Sequence, residues 1–349
     1  MRKITKFMDS IEKKDSVIII FDDDGDGISS AVLLRRLLKK RGVDSEQLIG
    51  ASMPVNKAVV DRVKSYAPNK IIFLDLAIDQ QPEIIEELKK YAKLAVIDHH
   101  QMNKAAEKSV DKITYFNPLS DDPRVYQSTS YLTYNICSEL EDMSDSLWLA
   151  AVGIVSDYDL RDSGDIVEEI KKKHGVADLK KSIFKQVSDI IMSSVATKTM
   201  TGEQIVRALD ELEQPEDIVH SRHCSAMLKA YSEIQTEITK IETDTKNMQT
   251  MGKLLLYQSK SKYGLSSVAA NIISERNTEK LVVVWRVSDQ QIKISARCQG
   301  GTINAAQALK DASIGLKASA GGHKAAAGAT LRLADWDVFR TQLNKIVNK

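Results

Sequence analysis

The chain is poor in three things, and each shortage excludes something. It has only three cysteines, Cys137, Cys224 and Cys298, widely spaced and odd in number. That pattern builds neither a disulfide framework nor a zinc knuckle, and it fits a reducing compartment. No uninterrupted apolar run approaches the ~20 residues a membrane-spanning helix needs, and Met1-Arg2-Lys3-Ile4 leads directly into charged sequence. The expectation is a soluble, cytoplasmic protein with no signal peptide and no membrane partner. Net charge is missing too: 49 lysines and arginines stand against 48 aspartates and glutamates. Any binding of phosphate or nucleic acid must then come from local basic patches. Internal repeats and low-complexity tracts are also absent.

What is present is a sequence of 349 residues, long enough for two domains with separate cores. Short apolar runs at Val17–Phe21, Ile71–Leu74 and Leu94–Ile97 read as buried parallel strands. After the first run, Ser29-Ser30 are predicted to cap a helix through Ala31–Leu34 and Leu37-Leu38 that Gly42 ends. A second helix is predicted from Pro82 to Lys93, with Pro82 in its first turn, Glu83, Glu86 and Glu87 near its start, and Lys89 and Lys90 near its end. The pattern turns helical from Ser128 to Tyr158, with Ser146–Ile154 apolar enough to be buried, and residues 162–247 are charged and mostly helical. A second αβ region begins near Gly252, with strands at Leu254–Tyr257, Leu281–Trp285 and Gln291–Ser295. Strands alternating with helices imply an α/β fold: a parallel-sheet domain over residues 1–195, a helical connector over 196–249 and a smaller αβ domain over 250–349.

Seven residues able to bind metal or move protons lie in the first half: Asp24, Asp26, Asp75, Asp98, His99, His100 and Asp157. Most follow a predicted strand, and open α/β sheets place their ligand sites beyond the carboxyl ends of the strands. Taken singly, several have plainer readings. Asp24-Gly25-Asp26-Gly27 also reads as a polar turn, Asp75 as the end of a strand, and Asp157 as a helix cap or salt-bridge partner. The turn lacks the closing Glu of a calcium-binding EF-hand loop. Asp98-His99-His100 is harder to set aside, because adjacent imidazoles after a buried strand cost desolvation unless their nitrogens are used. Imidazole with carboxylates suits manganese, zinc or iron; oxygen ligands alone suit magnesium. Near the far end, Gly321-Gly322-His323-Lys324-Ala325-Ala326-Ala327-Gly328 offers either a tight turn or a backbone surface on which a phosphate can lie. Cys224 beside His220-Ser221-Arg222-His223 reads as a surface cluster rather than a further metal site.

In this order the residues resemble the motifs of the DHH phosphoesterase superfamily. Its branches include RecJ-type exonucleases, nanoRNase-type oligoribonucleases, cyclic-dinucleotide phosphodiesterases and manganese-dependent pyrophosphatases. The first motif is Asp24-Gly25-Asp26-Gly27-Ile28-Ser29-Ser30-Ala31, the second is centred on Asp75, the third is Asp98-His99-His100, and the fourth is centred on Asp157. The resemblance spans about residues 15–160, and its first motif is somewhat more like that of archaeal RecJ-like proteins. It implies two manganese ions, with Mg2+ or Co2+ as substitutes, held by Asp24, Asp26, Asp75, His99 and Asp157, with Asp75 bridging. His100 would contact the phosphoryl group or assist the leaving oxygen, and Asp98 would orient the histidines. Many relatives carry a ligand histidine a few residues before the first aspartate, where this chain has Ile20-Phe21-Asp22-Asp23. Either Asp22 substitutes, or one metal position is weakened.

The C-terminal glycine-histidine motif is similar to that of the DHH-associated domain of the nuclease and phosphodiesterase branch, with Ala320 where many relatives have a third glycine. Arg297, Asn304, Gly321, Gly322 and His323 would then contact substrate, and pyrophosphate becomes a less suitable one, since pyrophosphatases carry a different C-terminal domain. The resemblance implies hydrolysis of single-stranded DNA or RNA ends, or of short oligonucleotides, by two-metal activation of water. Its alternatives are a cyclic-dinucleotide or 3′-phosphoadenosine nucleotide phosphoesterase, and a non-catalytic replication or repair scaffold. Bacterial RecJ-type relatives add an OB-fold that has no counterpart up to residue 349, so long-strand processing is expected to need a replication or repair partner.

Overall fold

The computed structural model describes residues 1–44, 46–102 and 113–349. It divides into two compact units, Met1–Tyr231 and Ser232–Lys349.

In the first unit, five strands, β1 (Val17–Asp22), β2 (Gln47–Ala51), β3 (Lys70–Leu74), β4 (Lys93–Ile97) and β5 (Thr114–Phe116), form one sheet in the order β2-β1-β3-β4-β5. Every pairing is parallel. The apolar runs are buried on both sides, and alternate residues serve opposite layers. Val17, Ile19, Phe21, Ile72 and Leu74 join one core, whereas Ile18, Ile20, Ile71 and Phe73 join the other. That explains why these strands show continuous hydrophobicity instead of alternation. Helices α1 (Arg2–Asp9), α2 (Gly25–Lys40), α3 (Lys57–Ser65) and α4 (Pro82–Leu88) come first in the chain, and α2 to α4 connect successive strands. They are followed by α5 (Thr129–Ser138), α6 (Leu147–Ser156), α7 (Gly164–His174), α8 (Ile183–Thr197) and α9 (Gly202–Asp210).

Three local expectations need correction. The N-cap of α2 is Asp24, whose Oδ1 accepts the N–H groups of Asp26 at 3.0 Å and Gly27 at 2.9 Å. Ser29 and Ser30 are instead fully buried inside the helix. A carboxylate placed straight after the strand satisfies the free amides earlier than the serines can. Helix α4 stops at Leu88, because Lys93 is drawn into the sheet, its N–H bonding the carbonyl of Asn69 at 3.0 Å. Cys224 is wholly buried in the first core, while His220 and His223 are exposed, so those residues do not share one surface. The helical stretch expected over 128–158 is present as two helices, α5 and α6, both packed on α2.

The second unit is built on a mixed six-stranded sheet ordered β10-β11-β9-β8-β7-β6. Its strands are β6 (Met248–Met251), β7 (Leu254–Gln258), β8 (Leu281–Ser288), β9 (Gln291–Arg297), β10 (Ala318–Gly322) and β11 (Ala326–Arg332). Only β7 and β8 run parallel. Helices α11 (Ser266–Glu275), α12 (Ala305–Ala312) and α13 (Trp336–Val347) complete it, and its two faces carry cores of their own. Helix α10 (Ser225–Thr243) runs across the division between the units. Among the described residues, no helix is long and apolar enough to cross a membrane.

Candidate metal centre

The strand register assembles the site. Phe21 pairs with Leu74, Leu74 with Ile97, and Ile97 with Phe116. The next residues, Asp22, Asp75 and Asp98, therefore form a row at the carboxyl edge of the sheet. Strand order reverses between β1 and β3, which opens the crevice where doubly wound sheets hold ligands. Asp75 sits there with φ 62°, a left-handed conformation uncommon for a residue with a Cβ and concentrated at functional positions. Gly27 lets α2 approach closely: a Cβ on it would lie 2.4 Å from the backbone oxygen of Asp22.

The carboxylates are aimed by neighbouring groups. Both oxygens of Asp26 accept backbone N–H groups from the start of α5, Thr129 at 2.6 Å and Ser130 at 2.9 Å, as a helix N-terminus favours. Thr129 also donates its hydroxyl to Asp75 Oδ1 at 3.0 Å. His99 lies between two acids, with Nε2 3.2 Å from Asp75 Oδ1 and Nδ1 3.5 Å from Asp157 Oδ2. Nδ1 of His100 is 2.7 Å from Asp98 Oδ1. Asp157 is the residue that ends α6. Tyr126 adds its ring, 5.1 Å from that of His99.

The electrostatics are those of an acidic site short of positive charge. Burial, and then the Asp75 carboxylate, push Asp22 up to about 6 and Asp24 up to about 7. The same two causes, with Asp157, hold Asp26 well above its ordinary value. Burial raises Asp157 as well, opposed by the charge of His99. Burial also works against ionisation of Asp75, yet the hydrogen bond from His99 and the charges of both imidazoles keep it below its ordinary value. Burial disfavours the charged form of His99, but Asp75, Asp26 and Asp157 outweigh that and raise it to about 10. The hydrogen bond to Asp98 lifts His100 to about 9.

These residues fit divalent metal. Among the described residues, three sets of ligand atoms each lie within 4.8 Å of one another: Asp22, Asp24 and Asp75; Asp26, His99 and Asp157; Asp75, His99 and His100. Among the described residues, buried His99 Nδ1 and Asp157 Oδ2 have no hydrogen-bond partner. Cations at such positions would replace the protons that the crowded acids retain. Asp75 belongs to the first and third sets and His99 to the second and third, and Asp22 joins the first.

The remaining predicted residues lie in the second unit. Gly321 and Gly322 end β10, and His323 opens the hairpin to β11, its N–H bonding the Ala326 carbonyl at 2.7 Å. Gly322 has φ 129°, and a Cβ there would meet the Ala326 carbonyl oxygen at 2.6 Å, so this turn requires glycine. Arg297 pairs in register with Ala326, and its guanidinium bonds Asn271, Ser267 and the Ala296 carbonyl. Asn304 caps α12 through Gln307 N–H at 3.1 Å. A cavity of about 380 Å³ on this sheet is lined by Ser267, Arg286, Lys293, Ser295, Gly321 and Thr330, among others.

Sequence reasoning missed Thr129, Ser130 and Tyr126 around the acids, and Arg286 and Lys293 on the second sheet. The run Ser128-Thr129-Ser130 before an apolar helix was the available signal for the first two. Lysine alternating with isoleucine in Ile292-Lys293-Ile294 was the signal for Lys293.

A parallel sheet that gathers carboxylates and imidazoles beyond its strand ends defines an α/β protein with side chains grouped as a divalent metal would need them. The DHH family N-terminal domain matches residues 16–154, and the DHHA1 domain matches residues 251–349. The chain belongs to the DHH phosphoesterase superfamily and has a RecJ-like fold. It is similar to RecJ of Thermus thermophilus in complex with Mn2+, at TM-score 0.74 and 17% identity, over 99% of this chain and 54% of that one. It thus spans about half the length of that relative. It is also similar to exonuclease RecJ bound to manganese, at TM-score 0.72 and 17% identity, over 100% of this chain and 94% of that one. A pGpG-specific phosphodiesterase, PggH from Vibrio cholerae, is similar at TM-score 0.50 and 13% identity, over 95% and 98%. At such identities these likenesses show the fold. No curated protein sequence matches the chain.

Proposed function

We propose that the protein is a manganese-dependent phosphodiesterase acting on single-stranded nucleic-acid ends or short oligonucleotides. The observation that carries this reading is the chain of three ligand groups linked through Asp75 and His99, each of which belongs to two of them. Asp24, Asp26, Asp75, His99 and Asp157 would hold the ions, and Asp22 would take the place of the relatives' histidine. Bound there, two divalent ions supply acidification of water and neutralisation of charge developing at phosphorus. His100, held by Asp98, faces the phosphoryl group or passes a proton to the leaving oxygen. Thr129 and Ser130 fix the carboxylates on which ion spacing depends. In the second unit, Arg286 and Lys293 beside the glycine surface suit a polyanion, and Arg297, Asn304 and His323 belong to the same substrate face. A replication or repair protein is the proposed macromolecular partner.

A small-nucleotide substrate is the second reading, favoured by the likeness to PggH, whose name specifies pGpG. The test is a manganese titration of the purified protein against labelled single-stranded DNA, short RNA and cyclic and linear dinucleotides. Cleavage of the strands with steep loss on adding salt supports a strand enzyme. Turnover of dinucleotides alone supports the second reading. Asp75→Ala is expected to abolish metal binding and turnover while the protein stays folded; wild-type turnover in that variant overturns the metal assignment. Wild-type protein that neither binds metal nor cleaves any of these is a scaffold.

A further inference from the structure

A metal centre recognises phosphorus and oxygen, which inorganic polyphosphate and polynucleotides share. Telling them apart requires a surface for the base. Two tyrosines stand beside the candidate ligands in the first unit. The ring of Tyr126 is 5.1 Å from that of His99 and tilted 56° to it, its hydroxyl lies 3.4 Å from the carbonyl oxygen of Asp157, and 43% of the residue is exposed. Tyr158 follows Asp157 directly, in a left-handed conformation with φ 57°, and is 67% exposed.

The segments carrying the two rings are tied to each other. Tyr126 N–H bonds Asp162 Oδ2 at 2.7 Å, Gln127 Nε2 bonds the Asp162 carbonyl at 3.1 Å, and Ser128 N–H bonds Asp159 Oδ2 at 2.8 Å. Arg161 clasps Asp162 through Nε at 2.6 Å and Nη2 at 2.8 Å. Aromatic surface is thus held in place by polar bonds while much of it remains in water, the reverse of how a core aromatic is used. Such a surface stacks any nucleobase, because every base presents a π-face.

We infer that Tyr126 and Tyr158 form a stacking platform for the base of the nucleotide whose phosphate occupies the metal centre. The substrate class is therefore a base-bearing phosphodiester and not inorganic polyphosphate. The inference rests on the phosphodiesterase reading above. It assigns the tyrosines to positioning, so their loss acts on KM more than on kcat.

The test uses the full chain with Mn2+ and two substrates, a short single-stranded oligonucleotide and a dinucleotide, each beside a counterpart of the same length made wholly of abasic nucleotides. Wild-type protein is expected to favour the base-bearing member of each pair. Tyr126→Ala and Tyr158→Ala are expected to raise KM for it by about tenfold and so to remove its advantage over the abasic member, and Tyr126→Phe and Tyr158→Phe are expected to restore the wild-type KM. Thermal unfolding of the exposed Tyr158→Ala variant checks that the protein remains folded. If wild-type protein hydrolyses the base-bearing and abasic members equally, or the alanine variants match wild type on both, the platform is overturned while the phosphodiesterase reading stands. If wild-type protein hydrolyses none of the four, the phosphodiesterase reading falls and the platform with it.

Discussion

At the scale of single residues, the acids of the site set a pH dependence whose sign is defined. The folded-state values of Asp22 and Asp24, about 6 and about 7, lie above the ordinary 3.8. Their burial therefore costs nothing below the unfolded value and weakens the fold as pH rises toward the folded ones. His99 and His100, raised to about 10 and about 9, contribute stability that is complete below pH 6.5 and lost as pH climbs to those values. Asp75 works the other way, since its lowered value adds stability above 3.8, but it is outnumbered. Metal-free protein is expected to show a falling Tm between pH 5 and pH 9, and the gap to the manganese-loaded protein should widen as metal displaces protons. Thermal scans across that range with and without chelator decide it; a flat or rising metal-free Tm contradicts it. Asp22 supplies a second prediction. If it replaces the relatives' histidine, Asp22→Asn lowers the manganese bound per chain from two toward one in calorimetric titration, and unchanged stoichiometry removes it from the ligand set.

At the scale of elements, α2 joins the chemistry to the framework. Its first turn carries Asp26, and its last turns carry Arg35, Arg36 and Lys39, which converge on Asp210 at the end of α9. Arg35 also holds Glu46 at 2.8 Å. Asp210 is almost fully buried, so removing it would strand cationic charge with too few partners. Asp210→Ala is expected to destabilise the protein by about 3–5 kcal/mol, seen in denaturant unfolding. Manganese affinity should be unchanged, because Arg35 and Lys39 follow Asp26 by 9 and 13 residues of helix, which at ~1.5 Å each places these cations about 14–20 Å along the axis from it. Loss of metal binding in the folded variant would show that α2 transmits strain between its ends.

At the scale of the whole molecule, every candidate metal ligand belongs to the unit Met1–Tyr231, which has its own two cores, and the second unit has two more. Manganese at a hundred times its Kd should stabilise the first unit by about 2.7 kcal/mol. Calorimetry combined with hydrogen exchange should place the added protection at the ends of β1, β3 and β4. Protection confined to residues 232–349 would relocate the metal.

The strands β1, β3 and β4 were legible from sequence because burial on both faces writes itself as an unbroken apolar run, whereas the edge strands β2 and β5, only partly buried, left no such run and were missed. The acids were legible because they follow those runs directly. Asp24 was read as a ligand and its capping of α2 was missed, since one carboxylate can serve either use and sequence does not say which amides lie near it. Thr129 and Ser130 were legible as the start of a helix but not as site residues, for a related reason. They stand about a hundred residues after Asp26, and only folding brings the first turn of α5 against it.

That acids and imidazoles follow buried strands could be read from the chain alone, because hydrophobic periodicity and residue type are local properties. Folding alone brings Asp22, Asp75 and Asp98 into one row, makes Asp75 and His99 each common to two ligand groups, and lays Tyr126 against His99. These depend on strand order and register, which are set by the packing of distant segments.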